Sequence, residues 1–208
     1  MASKVGIINL ALVSLRAATI TEPLENTENG RKMDAIYDLK LDALLRSHPW
    51  SFAKKESALS LVAGTPVLTD YTYIYNLPSD FTRLLKTSVE PDYAHKIKGR
   101  QLYSNSSSIS IEYIYFCDEP SLYDAEFIDA FAALLAAELC YAITGDKALV
   151  DVKWQEFRGK YQVARSVNGQ ETTPDNPQAD AWLNARGGGG YQGQSYTPDA
   201  GATYFGGV

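Results

Sequence analysis

The sequence predicts an α+β fold: a mainly α-helical bundle, a small antiparallel β domain inserted in it, and an extended C-terminal arm. Three observations carry this reading. Apolar residues recur at helical spacing in residues 1–60 and 118–170, alternate with a period of two in 61–117, and lose all period in 171–208. The 208 residues suit one core with a substantial appendage, and a composition 45% hydrophobic and 21% charged is enough to fill that core.

The first element places Ile8, Ala11, Leu12 and Leu15 on one helical face, with Ser3 as its N-cap. Lys4 and the apolar run behind it imitate a short signal peptide. Gly6, Asn9 and Ser14 interrupt that run and Arg16 follows it without an Ala-x-Ala site, so a helix is expected instead. A polar link runs over residues 19–30. The second helix carries Met33, Ile36, Tyr37, Leu41 and Leu44 on one side and Asp34, Asp38 and Asp42 on the other. His48 and Pro49 stop it, and Trp50 and Phe52 are expected anchors at its exit.

In the β region, Tyr71, Tyr73, Tyr75 and Leu77 share one face of a strand, and Ile109, Ile111, Tyr113 and Tyr115 share one face of another. Pro78-Ser79-Asp80 and Lys98-Gly99-Arg100 read as turns. Residues 95–103 are expected to form a third strand, and 81–88 or 88–93 a fourth.

Helix returns with Asp124 as cap and Phe131 and Leu135 among its core residues. Seven alanines lie along this helix, which is expected to run to about Thr144. The most apolar stretch, 127–143, reads as a buried helix too short for a bilayer. Gly145 is a natural helix stop and Asp146 the next N-cap. The last helix then carries Val150, Trp154, Phe157, Tyr161 and Ala164 as one stripe. Beyond it, eight of the 15 glycines fall in residues 187–208, a segment that cannot build a core of its own.

Nineteen basic and 25 acidic residues leave a net charge of −6, which argues against a protein that lives off phosphate contacts. Cys117 and Cys140 alone do not make a disulfide framework, and read as buried thiols. With His48 and His95 they show no local metal-ligand spacing. Gly188-x-Gly190-x-x-Gly193 imitates a dinucleotide fingerprint, but no strand precedes it and no helix pattern follows. Asp118, Glu119, Asp124, Glu126 and Asp129 form an acidic group that reads as caps and a solvated face, with an acid/base pair as its rival. Lys96, Lys98 and Arg100 read as the charge that protects an edge strand. The expectation is no cofactor, no metal and no enzymatic activity.

Several segments together resemble the tail tubular protein A family of short-tailed bacteriophages. They are the opening helix over 7–15, His48-Pro49-Trp50-Ser51-Phe52-Ala53-Lys54-Lys55, and Tyr73-Ile74-Tyr75-Asn76-Leu77-Pro78-Ser79-Asp80-Phe81-Thr82-Arg83-Leu84. Ile111-Glu112-Tyr113, the acidic lead into residues 127–136, and Asp180-Ala181-Trp182-Leu183-Asn184-Ala185-Arg186 complete the set. The resemblance implies a virion protein, a head-to-tail adaptor subunit in a ring, typically dodecameric, between the portal and the tail nozzle. It also implies a lumen through which DNA passes without specific binding, and a site where tail fibres attach. Physically, 14 tyrosines and three tryptophans suit a protein that spends much surface on neighbours. In the arm, Tyr191, Tyr196, Tyr204 and Phe205, with Trp182 and Arg186 before them, are the expected partner contacts, on the portal or an adjacent subunit. A neck adaptor of a long-tailed phage and a small acid/base hydrolase centred near Asp124 are the rival readings.

Overall fold

The computed structural model describes residues 2–23, 25–64, 70–89 and 95–171. Residues 172–208 of the expected arm, with Trp182, Arg186, Tyr191, Tyr196, Tyr204 and Phe205, lie outside the described residues, as do 90–93 of the alternative fourth strand. The fold is α+β, four helices with antiparallel sheets.

Helix α1 spans Lys4–Ser14, and Ser3 caps it by accepting from the Gly6 N–H at 3.1 Å. Helix α2 spans Glu28–Ser47 and begins inside the expected link, because Thr27 serves as its cap. Its stop at His48 is as expected, the residue before proline being held extended. Helix α3, Ala125–Thr144, ends at Gly145 with φ +69°. Asp146 then accepts from the Ala148 N–H at 2.9 Å to start α4, Lys147–Glu171.

Helix α3 is the axis of the bundle. Its residues from Ala130 to Ala137 are buried without interruption, so neighbours surround it, and α1, α2 and α4 all pack on it. The alanines make this enclosure possible, since small side chains let helices approach on every side. At 20 residues α3 is longer than the apolar run read from the sequence, and by length and composition it is long enough to cross a bilayer. In this fold 61% of that apolar window is buried inside the protein. Lys40 to Glu138, and Lys32 to the Ala142 carbonyl at 2.9 Å, tie α2 along it.

The switch to extended chain comes earlier than the expected residue 61. Strand β1, Lys54–Ala58, follows directly on a single 3-10 turn at Ser51–Ala53, and β2 is the two-residue Ser60–Leu61. Lys54-Lys55-Glu56-Ser57-Ala58 has no apolar alternation; pairing with a later strand makes it a strand. Next come β3 (Tyr73–Asn76), β4 (Phe81–Thr87), β5 (His95–Lys98), β6 (Gln101–Ser104) and β7 (Ser110–Tyr115). The expected single strand over 95–103 is therefore a hairpin, because Gly99 at φ +59° turns the chain there. The strands form two sheets rather than one, ordered β1-β7-β4 and β2-β3-β6-β5.

Two hydrophobic cores follow from this division. The larger joins the four helices to Ile114 and Cys117. The smaller gathers Tyr75, Leu77, Leu102, Ile109, Ile111 and Tyr113. Strand β7 serves both, because alternate side chains leave opposite faces: Ile111 and Tyr113 enter the small core, Ile114 the large one. Of the expected face of Tyr71, Tyr73, Tyr75 and Leu77, the last three lie against the small core, while Tyr71 precedes β3. Strand β4, bulged twice against β7, closes the other flank. There Thr82 donates to Asp42 at 3.1 Å and Arg46 donates to the Thr82 carbonyl at 2.7 Å, so part of the acidic row of α2 is spent on the sheet. The rest meets Lys4, whose ammonium lies 3.6 Å from both Asp34 and Asp38.

Candidate assembly surfaces and the joint between the cores

The expected anchors assemble into one aromatic spine. Trp50 lies edge-on to Phe127 at 4.9 Å and to Tyr161 at 6.3 Å, and its indole N–H donates to the Leu44 carbonyl at 3.0 Å. Phe127 continues to Phe131 at 6.1 Å, and Phe131 to Tyr37 at 5.0 Å. On α4 the run goes from Tyr161 to Phe157 at 5.6 Å and from Phe157 to Trp154 at 5.8 Å. Trp50, Phe131 and Leu135 are fully buried. Phe52, Trp154, Phe157 and Tyr161 are only half-buried against the core.

Helix α4 is thus anchored at its C-terminal half. Its deepest residues are Ala164 and Asn168. The Asn168 carboxamide accepts from the Ser51 N–H at 3.1 Å, and Tyr161 donates to Ser47 at 2.9 Å, so both grip the junction between α2 and β1. Asn168 was not singled out from the sequence. Continuing the stripe of Val150, Trp154, Phe157, Tyr161 and Ala164 by four residues reaches it, and a polar residue on an apolar stripe was the available signal.

A second cluster joins the two cores. Asp80, in the turn before β4, accepts from Lys55 of β1 at 2.8 Å and from the Tyr113 hydroxyl of β7 at 3.0 Å. Its carbonyl accepts from the Phe116 N–H at 2.8 Å, and Lys55 lies 4.2 Å from the centre of the Tyr115 ring. Burial pushes the Asp80 carboxyl up, but hydrogen bonds from Lys55 and Tyr113 outweigh it and hold it below the ordinary aspartate value. Tyr113 is pushed up to about 12, by burial first and then by its bond to Asp80. A carboxyl lowered in the folded state adds stability above its unfolded pKa and loses that contribution as pH falls through the folded value. Asp80→Ala is expected to cost about 1–2 kcal/mol at neutral pH, and the difference from wild type should shrink once the pH falls below about 4. Urea unfolding at neutral and acid pH measures both.

The remaining expected groups stay apart. Asp124 stands at the N-cap of α3 without a side-chain capping bond, and its carboxyl is raised by burial and then by the charges of Glu171 and Glu126. Glu126 and Asp129 lie instead along an open groove beside α4. Among the described residues no three of His, Cys, Asp and Glu are placed to hold a metal ion. Cys117 and Cys140 are buried free thiols. Burial lowers the His48 pKa, with the charges of Arg165, Lys54 and Arg83 adding to it. Strand β5 is a sheet edge, and there Lys96 and Lys98 sit as the edge reading expected, with Lys98 5.2 Å from the Tyr103 ring centre. Arg100 is on the turn instead, donating to the Pro78 carbonyl.

Apolar side chains left outside mark the surfaces available for partners. Leu39 on α2 is 72% exposed, and Val152 and Val163 on α4 are 55% and 56% exposed. The groove beside α4, about 350 Å³, is lined by Glu126, Asp129, Gln155, Glu156, Gly159, Lys160 and Val163. No protein-family model matches the chain, and no curated protein matches it.

Proposed function

We propose that this chain is a structural virion protein, the head-to-tail adaptor subunit of a short-tailed bacteriophage. Copies form a ring, dodecameric by the resemblance, between the portal and the tail nozzle, and the ring continues the channel through which DNA leaves. One observation supports this above the others. The two most specific segments of the resemblance are the parts that join one structural unit to the next. Trp50, Ser51 and Phe52 of the first hold the helix-to-strand junction against α3 and α4. Leu77 of the second fills the small core, and Asp80 ties the turn before β4 to β1 and β7. A segment that fixes how two cores meet sets the shape of the subunit, and a ring closes only for one shape.

Apolar side chains left exposed on several helices, Val13 on α1, Leu39 on α2, and Val152 and Val163 on α4 among them, also suit head-to-tail contacts, which need two unlike faces on each subunit. A net charge of −6 supports a wall that DNA passes without being held. The portal, the nozzle protein and tail fibres are the partners of this reading. Phage lacking the protein are expected to leave DNA-filled heads without tails, and adding purified protein to those heads in the presence of the other tail proteins should restore infectivity. Tailed, infectious particles made without it would contradict the proposal.

A further inference from the structure

Basic side chains from four segments of the chain meet where α2 ends. Lys54 on β1 and Arg83 on β4 both pair with Ile114 of β7, one from each side. Paired residues share a face of the sheet, so both leave on the face that carries Ile114 into the helical core. Arg83 reaches the end of α2 and donates to the Arg46 carbonyl at 3.1 Å. Arg165 comes from α4. Its guanidinium lies 5.5 Å from the centre of the Tyr161 ring, and the Tyr161 hydroxyl donates to Ser47, the residue before His48. His48 packs edge-on to Trp50 at 4.8 Å. Burial first, then the charges of Arg165, Lys54 and Arg83, disfavour its protonation. Arg83 and Arg165 are exposed and His48 and Lys54 half-buried, so the group opens to solvent.

No carboxylate pairs with these groups among the described residues. Every ion pair there uses Lys4, Lys32, Lys40, Lys55, Lys153 or Lys160. One turn either side of Arg165 stand Tyr161, Gln162, Asn168 and Gly169, without an acid. Asp42, the last acid of α2, is bonded to Thr82. Glu56 and Glu112 pair with each other two residues further along the sheet, with Lys86 beside them. The end of α2 offsets the charge of Arg83, whose guanidinium it holds. Lys54 has no hydrogen bond or ion pair among the described residues, and Arg165 has only the Tyr161 ring.

We infer that His48, Lys54, Arg83 and Arg165 form a binding site for a phosphate group. Donors arriving from four segments suit a tetrahedral oxyanion, which offers acceptors in several directions, whereas a carboxylate offers two oxygens in one plane. The two guanidinium forks match phosphate oxygens in pairs, and the lysine adds a point charge. Neutral His48 supplies one ring N–H, and protonated it adds a fourth charge. A bound dianion relieves the mutual repulsion of the three fixed charges. The net charge of −6 does not oppose a local site, because exposed charges more than about 10 Å away are largely screened at ordinary salt. The site does not rest on the ring reading, since it lies within one chain. The phosphate is either free in solution or part of a nucleic-acid backbone, and the two sources are separable by experiment.

Proton NMR of the full-length chain reads the site directly, since His48 and His95 are its only histidines. Inorganic phosphate at tens of millimolar should raise the titration midpoint of His48, because a nearby anion favours the imidazolium. His95, on β5, should move only as far as it does in sodium chloride of equal ionic strength. Arg165→Gln should reduce the His48 response several-fold, and Lys54→Gln with Arg83→Gln should bring it down to the chloride level. Unchanged melting is the control for each variant, and the exposed Arg165 keeps the test valid if the double variant is unstable. A short DNA duplex at low salt is the second arm. Duplex binding that Lys54→Gln with Arg83→Gln removes, and Lys96→Gln with Lys98→Gln keeps, assigns the phosphate to a nucleic-acid backbone. A His48 response to inorganic phosphate without duplex binding assigns it to a free phosphate. A His48 midpoint that phosphate moves no further than chloride does, with no duplex binding or with binding that the double variant retains, would overturn the inference. So would sodium acetate acting as strongly as phosphate, which would give the cluster to carboxylates instead. None of these outcomes bears on whether copies of the chain form a ring.

Discussion

Trp50→Ala is expected to cost about 3–5 kcal/mol, the usual range for emptying a large aromatic site in a core. Stabilities of folded domains are themselves about 5–15 kcal/mol, so the variant should be close to unfolding at 37 °C. The magnitude follows from what the indole touches. It is 1% exposed, contacts His48, Phe52, Phe127 and Tyr161, and satisfies the Leu44 carbonyl at the end of α2. Removing it opens a cavity where α2, α3, α4 and the start of β1 converge, and leaves the Leu44 carbonyl to the Ser47 hydroxyl, which donates to it at 2.6 Å. Trp154→Ala is the control. Its ring is half-buried and, among the described aromatic residues, meets Phe157 alone. It should cost less than half as much. Urea unfolding of both variants decides; equal losses would show that the spine is anchored elsewhere.

Deleting residues 187–208 is expected to have the largest effect on assembly. The segment holds eight of the 15 glycines along with Tyr191, Tyr196, Tyr204 and Phe205, a composition suited to gripping a partner rather than filling a core. The truncated protein should melt as the full chain does and fail to attach to the portal. Normal attachment would remove the arm from the account; a lowered melting temperature would assign the arm to the fold instead.

Much of the helical architecture was legible because each helix carries its own signals. Ser3, Gly145 and Asp146 mark ends by side-chain and backbone chemistry, and the apolar stripes repeat at helical spacing. Strand β1 was not legible, since Lys54-Lys55-Glu56 carries no inward face and owes its conformation to β7. The pairing of two sheets around β7 was also hidden. The alternation of Ile109, Ile111 and Tyr113 showed one buried face, while Ile114, a single residue, carried the other. The surfaces for partners showed least. Leu39, Val152 and Val163 are apolar residues that fall off the periodic face of their helices, and only the burial of that face turns them into a signal.

Electron microscopy of the purified protein mixed with its portal tests the central claim most directly. The account predicts a ring of adaptor subunits added to one face of the portal, coaxial with its channel. A portal left bare by saturating protein, with the chain itself folded, would contradict it.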